Sequence, residues 1–226
     1  DRSSALWGVC LLVVAGASLG CLASEGDTED PPSVTYTNRV SFEDETQGLT
    51  EINFSDVALA DEPVLIEADR YSAQGIILTG TSGQYVDDDF GYPNDYPAVS
   101  GGAIFSPGPN TYDGPIEPTT VVTFTTASGT PGATSAFGVF FIDADFASTS
   151  SLSRLTAYDA LGDVVGEMEV SGDDGEAVFA GVRSTNDSGD SVANIARVEL
   201  VTGDGWPGTF EAEEVVLDEF VFAPVE

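Results

Sequence analysis

The chain contains neither histidine nor lysine, and only six of its 226 residues are basic, all of them arginine. Without histidine, a Ser-His-Asp triad, a His-ligated zinc site and an imidazole base are excluded. Without lysine, no amine is available for a Schiff base. The remaining option is a glycosidase acid and base pair of carboxylates. Because 39 residues are Asp or Glu, some pair of carboxylates will always lie at the distance that a glycosidase needs, so such a pair is no evidence of catalysis. We therefore predict that the protein is not an enzyme.

The shortage of basic residues gives a formal net charge of -33 at pH 7. Nucleic acids are recognised by clustered cations, and anionic lipid surfaces attract basic segments, so both are excluded as direct partners. Three interpretations of the acidity remain open: binding of divalent cations, binding of a neutral ligand such as a sugar, and adaptation to a salty medium, in which surface charge is strongly screened.

Cysteine is also scarce, and both cysteines, Cys10 and Cys21, precede the region expected to fold. Residues 6–20 form an apolar run that is short for a membrane span of ~20 residues but suits the core of a signal peptide. It ends in Ser18-Leu19-Gly20-Cys21, which resembles a bacterial lipobox with its first two positions exchanged. This resemblance implies that Cys21 is lipidated. The alternative is that Cys21 belongs to a leader removed by a general signal peptidase.

The segment after Cys21 is small, polar and acidic and ends in Pro31-Pro32, which is typical of a flexible tether. We therefore expect a signal peptide over residues 1–21, a tether over residues 22–33 and one folded domain over residues 34–226. The expected location is the cell surface or outer envelope, with membrane contact only through the lipid anchor. Secretion without an anchor is the alternative.

From residue 34 onward the hydrophobic pattern has a period of two, and no stretch has the length and spacing of a capped amphipathic helix. Turn residues separate the alternating runs, and residues 159–163 and 171–175 are predicted hairpin turns. These features predict an all-β fold, an antiparallel two-sheet β-sandwich with a jelly-roll arrangement. Strands are expected near residues 34–43, 51–58, 63–67, 74–79, 98–105, 119–126, 136–143, 152–159, 163–170, 176–183, 194–201 and 214–222.

Aromatic and acidic residues concentrate in a long stretch, residues 80–119, where we expect mainly a loop. Long loops on a rigid sandwich often carry function, and aromatic rings can pack against the flat faces of sugars. The predicted ligand-binding residues are Tyr85, Asp87, Tyr92, Tyr96 and, in a separate Gly- and Pro-rich segment, Trp206. The alternatives are that the rings close the ends of the core and that the acids form a solvated loop.

Asp143 and Asp145 follow a strongly apolar run and are expected on one face of a strand. They are candidates for binding Ca²⁺ or a sugar hydroxyl. The alternative is that they mark the point where the strand leaves the core. The segment Asn186-Asp187-Ser188-Gly189-Asp190 lacks the spacing of an EF-hand loop and is predicted to be a turn.

Four segments, residues 40–44, 137–145, 155–159 and 216–222, together resemble the jelly-roll, carbohydrate-binding-module-like domains of secreted bacterial proteins. Related sandwich domains occur ahead of PEP-CTERM-type sorting signals. The resemblance implies a structural Ca²⁺ between the first and last strands, ligated by Glu43, Asp44 and Asp218. No sorting helix follows Phe222 here, so we expect attachment to depend on Cys21.

Strand alternation supports part of this expectation independently, because it places Asp218 on the same side as the apolar residues Val216, Phe220 and Phe222. A buried carboxylate needs a metal, hydrogen bonds or a bulge that moves it outward. Ca²⁺ takes six to eight oxygen ligands, which two or three carboxylates, backbone carbonyls and water can supply. The alternative is an acid near the sheet rim with backbone partners.

The sequence therefore favours an exported, calcium-stabilised β-sandwich module that binds an extracellular polysaccharide or a surface protein through its loops. A second hypothesis is a non-catalytic structural or envelope protein whose acidity is an adaptation to salt. A carboxylate-based glycosidase is the third and least favoured.

Overall fold

The protein forms two antiparallel sheets, so the predicted all-β, two-sheet sandwich is confirmed. The computed structural model describes residues 32–58, 63–81, 83–87, 99, 101–106, 118–144, 152–173, 175–202 and 215–226. The strands are β1 (Ser33–Tyr36), β2 (Thr50–Ile52), β3 (Val64–Ile66), β4 (Ile76–Gly80), β5 (Gln84–Asp87), β6 (Ala103–Phe105), β7 (Thr119–Phe124), β8 (Ala136–Ile142), β9 (Ser153–Tyr158), β10 (Val164–Val170), β11 (Ala177–Ser184), β12 (Arg197–Val201) and β13 (Val216–Phe222).

The larger sheet has eight strands in the order β1-β11-β8-β13-β6-β5-β3, with β2 paired to β13 outside this path. The smaller sheet has five strands in the order β10-β9-β12-β7-β4. The last strand, β13, lies in the middle of the larger sheet, where it pairs with β8, β6 and β2. The jelly-roll arrangement remains a prediction.

The main core lies between the sheets and is built from the inward residues of both. Phenylalanine rings at its centre meet edge to face, with Phe137 and Phe220 5.6 Å apart and Phe54 and Phe220 5.3 Å apart between ring centroids. Aromatic pairs prefer such offset geometry, and each ring buries a large apolar area. Since residues 32–226 contain no cysteine, no disulfide supports this core.

The first predicted strand is only partly correct. Strand β1 ends at Tyr36, and Arg39–Glu45 forms an α-helix, α1, where a strand was expected. Asn38 caps the helix, since its side chain accepts a hydrogen bond from the Ser41 backbone N–H at 3.1 Å. Strand β1 pairs with β11 and not with the last strand. No helix in the described part of the chain has the length and apolar character needed to span a membrane.

Helix α1 lies on the outer face of the larger sheet and buries a single residue, Phe42. The sheet accommodates this ring because Gly138 and Gly181 face each other on β8 and β11. A Cβ atom on Gly181 would lie 2.9 Å from the Phe179 ring and 3.0 Å from the Phe42 ring, closer than normal carbon contacts. The two glycines therefore leave the space on the sheet surface that the Phe42 ring occupies.

Strand β13 contains a bulge. Asp218 lies opposite Phe140 but Val221 lies opposite Gly138, so β13 has one extra residue, and Glu219 adopts φ 49°. The bulge reverses the alternation of side chains. Leu217 before it and Phe220 after it both face the main core. The expectation that Asp218 faces the same side as Phe220 is therefore wrong, whereas the alternative of a bulge is confirmed.

Three hairpin turns of the same construction lie in the described part of the chain, at residues 126–130, 159–163 and 186–190. In each, the first residue's N–H donates to the carbonyl of the fifth, the glycine N–H donates to the carbonyl of the first, and the glycine has positive φ. The turns predicted at residues 159–163 and 186–190 are therefore confirmed. The hairpin predicted at residues 171–175 is wrong, because the flanking strands β10 and β11 belong to different sheets.

Candidate functional site

The predicted metal ligands do not form a common cluster. Glu43 and Asp44 lie on the exposed side of α1, and Glu43 accepts a hydrogen bond from Arg39 at 2.7 Å. Asp218 is fully buried, and its Oδ1 accepts the Glu219 backbone N–H at 2.6 Å. The described residues contain no group of three acids arranged to hold a metal ion. The calcium site remains a prediction.

The side chain that links the helix to the last strand is Arg39, which was not among the predicted site residues. Its Nε contacts Glu43 at 2.7 Å, its Nη2 contacts Glu51 on β2 at 2.6 Å, and its Nη1 forms an ion pair with Glu219 in the bulge. The guanidinium also lies 5.9 Å from the centroid of the Phe140 ring. One arginine thus joins α1, β2 and β13, because its planar fork can serve several carboxylates at once.

The surroundings of Arg39 stabilise its charged form. Burial lowers the pKa of the guanidinium, but hydrogen bonds to Glu43 and Glu51 outweigh this effect and hold the pKa above its usual value. Glu219 is largely buried and has an unusual backbone conformation. Such a conformation persists only where the surrounding contacts fix it, and the ion pair with Arg39 is one of those contacts.

Tyr85 lies in an apolar row on the outer face of the larger sheet. Leu65 on β3 is opposite Tyr85 on β5, and Tyr85 is opposite Phe105 on β6. The Tyr85 and Phe105 rings stack with centroids 5.8 Å apart and an interplanar angle of 28°. Leu65 is 58% exposed and Tyr85 is half-buried, whereas Phe105 is buried. We call these three residues the Tyr85 platform.

The other predicted ligand residues are less informative. The backbone of Asp87 pairs with Ala103 in the sheet, and its side chain lies outside the described residues. Tyr92, Tyr96, Trp206 and the lipidation candidate Cys21 also lie outside the described residues. Strand β5 itself was not predicted, because Gln84–Asp87 was assigned to the long loop.

Asp143 is buried, and Asp145 lies outside the described residues. Asp143 has φ 63°, and its Oδ1 accepts the backbone N–H of Gly175 at 2.8 Å. The Asp143 backbone N–H donates to the Glu176 carbonyl at 3.1 Å. These bonds tie the end of β8 to the turn before β11. Asp143 therefore lies at a strand end but stays buried, and does not mark a point where the strand leaves the core for solvent.

A second polar cluster joins Asp56, Arg70 and Tyr71. The Tyr71 hydroxyl donates to Asp56 at 2.8 Å, and Arg70 donates to the same carboxylate at 3.0 Å. Partial burial works against the charge of Asp56, but these two donors keep its pKa below the usual value. Burial and then the neighbouring Asp56 raise the pKa of Tyr71. The cluster links Arg70 and Tyr71, which precede β4, to Asp56, which follows β2.

The fold and these contacts define the protein as an antiparallel β-sandwich domain with an aromatic platform on one sheet. No family model matches the chain, and no curated protein matches it. Among solved structures, it is similar to the enzymatically active domain of tailspike protein 4 from bacteriophage CBA120. The match has a TM-score of 0.28 and 13% identity, and covers 70% of this chain and 20% of the tailspike chain.

Proposed function

We propose that the protein is an exported, non-catalytic β-sandwich module that binds an extracellular carbohydrate on the Tyr85 platform. The observation that carries this proposal is the stacked pair of Tyr85 and Phe105, continued to the sheet edge by the exposed Leu65. Lipidation of Cys21 would hold the module at the cell surface. A surface protein that uses the same platform is the other partner consistent with this arrangement.

The platform suits a sugar for two reasons. A ring fixed by stacking on a buried neighbour presents a flat apolar surface and a polar hydroxyl without further ordering of the side chain, which favours binding. The net charge of -33 favours a neutral polysaccharide over an acidic one, because like charges repel. Tyr92 and Tyr96, which lie outside the described residues, remain ligand-binding residues proposed from the sequence.

We expect Tyr85→Ala to weaken binding to a neutral oligosaccharide about tenfold, because the substitution removes a ring contact worth about 1.4 kcal/mol. Isothermal titration calorimetry with a polysaccharide selected on a panel of immobilised glycans measures this change. Tyr85→Phe is the matched control, since it keeps the ring and removes only the hydroxyl.

Two results would contradict the proposal. If the wild-type chain, tested with and without calcium, retains no glycan from the panel, carbohydrate is not the ligand. If Tyr85→Ala binds as tightly as Tyr85→Phe, the platform is not the site. Circular dichroism establishes that both variants keep the β-fold.

The second candidate function, an envelope protein adapted to salt, is favoured by the pairing of the arginines. Every arginine in the described residues forms an ion pair with a carboxylate, and the acids there far outnumber the arginines. Unpaired surface acids repel one another, and added salt screens that repulsion. The arginines concerned are Arg39, Arg70, Arg154, Arg183 and Arg197.

Thermal melts separate this function from calcium stabilisation. The calcium hypothesis for Glu43, Asp44 and Asp218 predicts that EDTA lowers the melting temperature and that added Ca²⁺ restores it, because an ion that binds only the folded state stabilises it. A melting temperature that EDTA leaves unchanged and that rises steeply with NaCl favours the salt-adapted protein. MgCl₂ is the control for non-specific screening by a divalent cation.

A further inference from the structure

A cleft of about 600 Å³ opens beside the hairpin turn at residues 159–163, away from the Tyr85 platform. This volume is within the range of small-ligand sites. The hairpin follows β9, residues 131–133 follow β7, and Arg197 is on β12, which lies between these two strands. The hairpin and residues 131–133 therefore form opposite walls of the cleft. Small residues dominate the lining, and three charged residues, Asp159, Arg197 and Glu226, contribute to it.

The hairpin turn at residues 159–163 carries an exposed leucine, Leu161, at a position where the turn does not need an apolar side chain. Leu161 is 87% exposed, and it occupies the third position of the turn. In the two other turns of the same construction this position is Ser128 and Ser188. Since serine satisfies the same backbone geometry, Leu161 has no structural reason to be apolar. At the wall of the cleft, Leu161 offers a ligand an apolar contact that the fold itself does not use.

The turn also shows that the acid at its first position is replaceable. The Oδ1 atom of Asp159 accepts the N–H groups of Leu161 at 2.8 Å and Asp163 at 2.9 Å. In the matching turn, the side-chain oxygen of Asn186 accepts the equivalent two N–H groups, both at 2.9 Å. An amide therefore supports this turn as well as a carboxylate does, and the negative charge of Asp159 is not needed for the fold.

Arg197 supplies a fixed donor to the cleft. Its guanidinium lies 4.3 Å from the centroid of the Tyr158 ring and forms an ion pair with Glu199. The Tyr158 hydroxyl donates to Glu199 at 3.1 Å, so the three side chains hold one another in place. Only part of the fork of five N–H groups is occupied by Glu199, and the Arg197 side chain is 38% exposed.

The walls of the cleft are held by backbone contacts. Ala133 and Glu226 exchange two backbone hydrogen bonds, at 3.1 Å and 2.9 Å. A Cβ atom on Gly132 would lie 2.5 Å from Val225, so only glycine fits between this wall and the last residues of the chain. A cleft that is already ordered loses little conformational entropy when a ligand binds, which favours a weakly interacting ligand such as a sugar.

We infer that this cleft is a second saccharide subsite, which binds one neutral sugar unit between Leu161 and residues 131–133. Leu161 packs against the C–H face of the sugar, Arg197 donates to a ring or hydroxyl oxygen, and the carboxylates of Asp159 and Glu226 accept from hydroxyl groups. Acidic sugars are disfavoured because the cleft's two carboxylates outnumber its one arginine, which already serves Glu199. The inference rests on the proposed carbohydrate-binding function and adds a site to it.

The test uses the 226-residue chain with the wild-type sequence or with Leu161→Ser, Asp159→Asn or Val164→Ser, titrated with neutral oligosaccharides and with oligouronates. Val164 is the matched control, because it is an exposed apolar residue at the start of the next strand and does not line the cleft. We expect Leu161→Ser and Asp159→Asn to weaken binding of the neutral sugar about fivefold each, and Val164→Ser to leave it unchanged.

Amide chemical shifts locate the sugar independently of affinity. Shifts at Gly132, Ala133, Leu161 and Gly162 on titration support the subsite. If Tyr85→Ala abolishes binding while Leu161→Ser and these amides do not respond, the subsite is overturned and the proposed function stands. If the cleft responds and Tyr85→Ala does not, the subsite stands and the platform is wrong. If the wild type binds no sugar, or binds oligouronates more tightly, the inference of a neutral-sugar subsite is overturned.

Discussion

Phe42→Ala is expected to lower the free energy of unfolding by about 3 to 5 kcal/mol, the usual cost of truncating a buried phenylalanine. Phe42 is fully buried, with its ring centroid 5.4 Å from that of Tyr36 and 5.5 Å from that of Phe179. It is the one buried residue of α1, so its loss removes the apolar contact that holds the helix to the sheet. Urea unfolding, followed by the far-ultraviolet circular dichroism of the backbone, measures the change.

Val40→Ala on the same helix is the matched control. Val40 is 63% exposed, so its truncation is expected to change the free energy of unfolding by no more than about 0.5 kcal/mol. Both substitutions introduce alanine and therefore improve the helix propensity similarly. Equal effects of the two variants would contradict the burial of Phe42, and so would a Phe42→Ala effect below about 1 kcal/mol.

The loss of Phe42 is expected to affect both ends of the helix. Glu45 at its last turn accepts hydrogen bonds from Tyr36 at 2.8 Å and Arg183 at 2.9 Å, and Arg39 at its first turn contacts β2 and β13. We expect these polar contacts to weaken when the Phe42 ring no longer holds the helix against the sheet. We therefore expect the unfolding transition of Phe42→Ala to remain a single step at lower urea concentration.

The sequence predicts the strands well where the inward residues are apolar. Strands β8 and β13 are long, β-branched and aromatic, and their runs are recognisable without tertiary information. Helix α1 was missed because it has only seven residues and because Val40 and Phe42 alternate as they would in a strand. A helix this short is stable through tertiary packing and not through propensity. The cap at Asn38 was the available indication of it.

Strand β5 was missed for a different reason. Its inward positions are Gln84 and Val86, and a buried glutamine is not expected in a strand of this kind. Gln84 is accommodated because its side-chain oxygen accepts a hydrogen bond from Thr120 at 3.1 Å, on a strand 36 positions away. That partner is determined by the fold, so local sequence could not predict β5 or the placement of Tyr85 beside Phe105.

The candidate site was predicted only in part. The importance of Asp218 was expected from its charge in an apolar strand, but the side on which it lies depends on a single extra residue in β13. Alternation cannot reveal such a bulge, because the residues on both sides of it are apolar. Rarity alone could not single out Arg39, because Arg70, Arg154 and Arg197 are equally rare and each pairs with one carboxylate. The three carboxylates around Arg39 come from α1, β2 and β13, which only the fold brings together.

Arg39→Met is expected to lower the free energy of unfolding by about 3 kcal/mol. The substitution keeps much of the apolar stem but leaves Glu219, which is largely buried, without its positive partner. Removing one member of a buried ion pair is costly because the other charge stays desolvated. Glu43 and Glu51 are partly exposed and can be hydrated, so their loss of Arg39 contributes less.

A double-mutant cycle with Glu219→Gln isolates the buried pair. If Arg39 stabilises the bulge mainly through Glu219, the double variant Arg39→Met/Glu219→Gln is more stable than the sum of the single changes predicts, by at least about 1 kcal/mol. Glu51→Gln is the control, because that carboxylate is half exposed and its coupling to Arg39 is expected to be smaller. Additive effects at Glu219 would show that the pair is not coupled.

A calcium titration tests the alternative source of positive charge. If Ca²⁺ rather than Arg39 neutralises these acids, added calcium would reduce the loss of stability caused by Arg39→Met. A loss that neither EDTA nor Ca²⁺ changes assigns the counter-charge to Arg39.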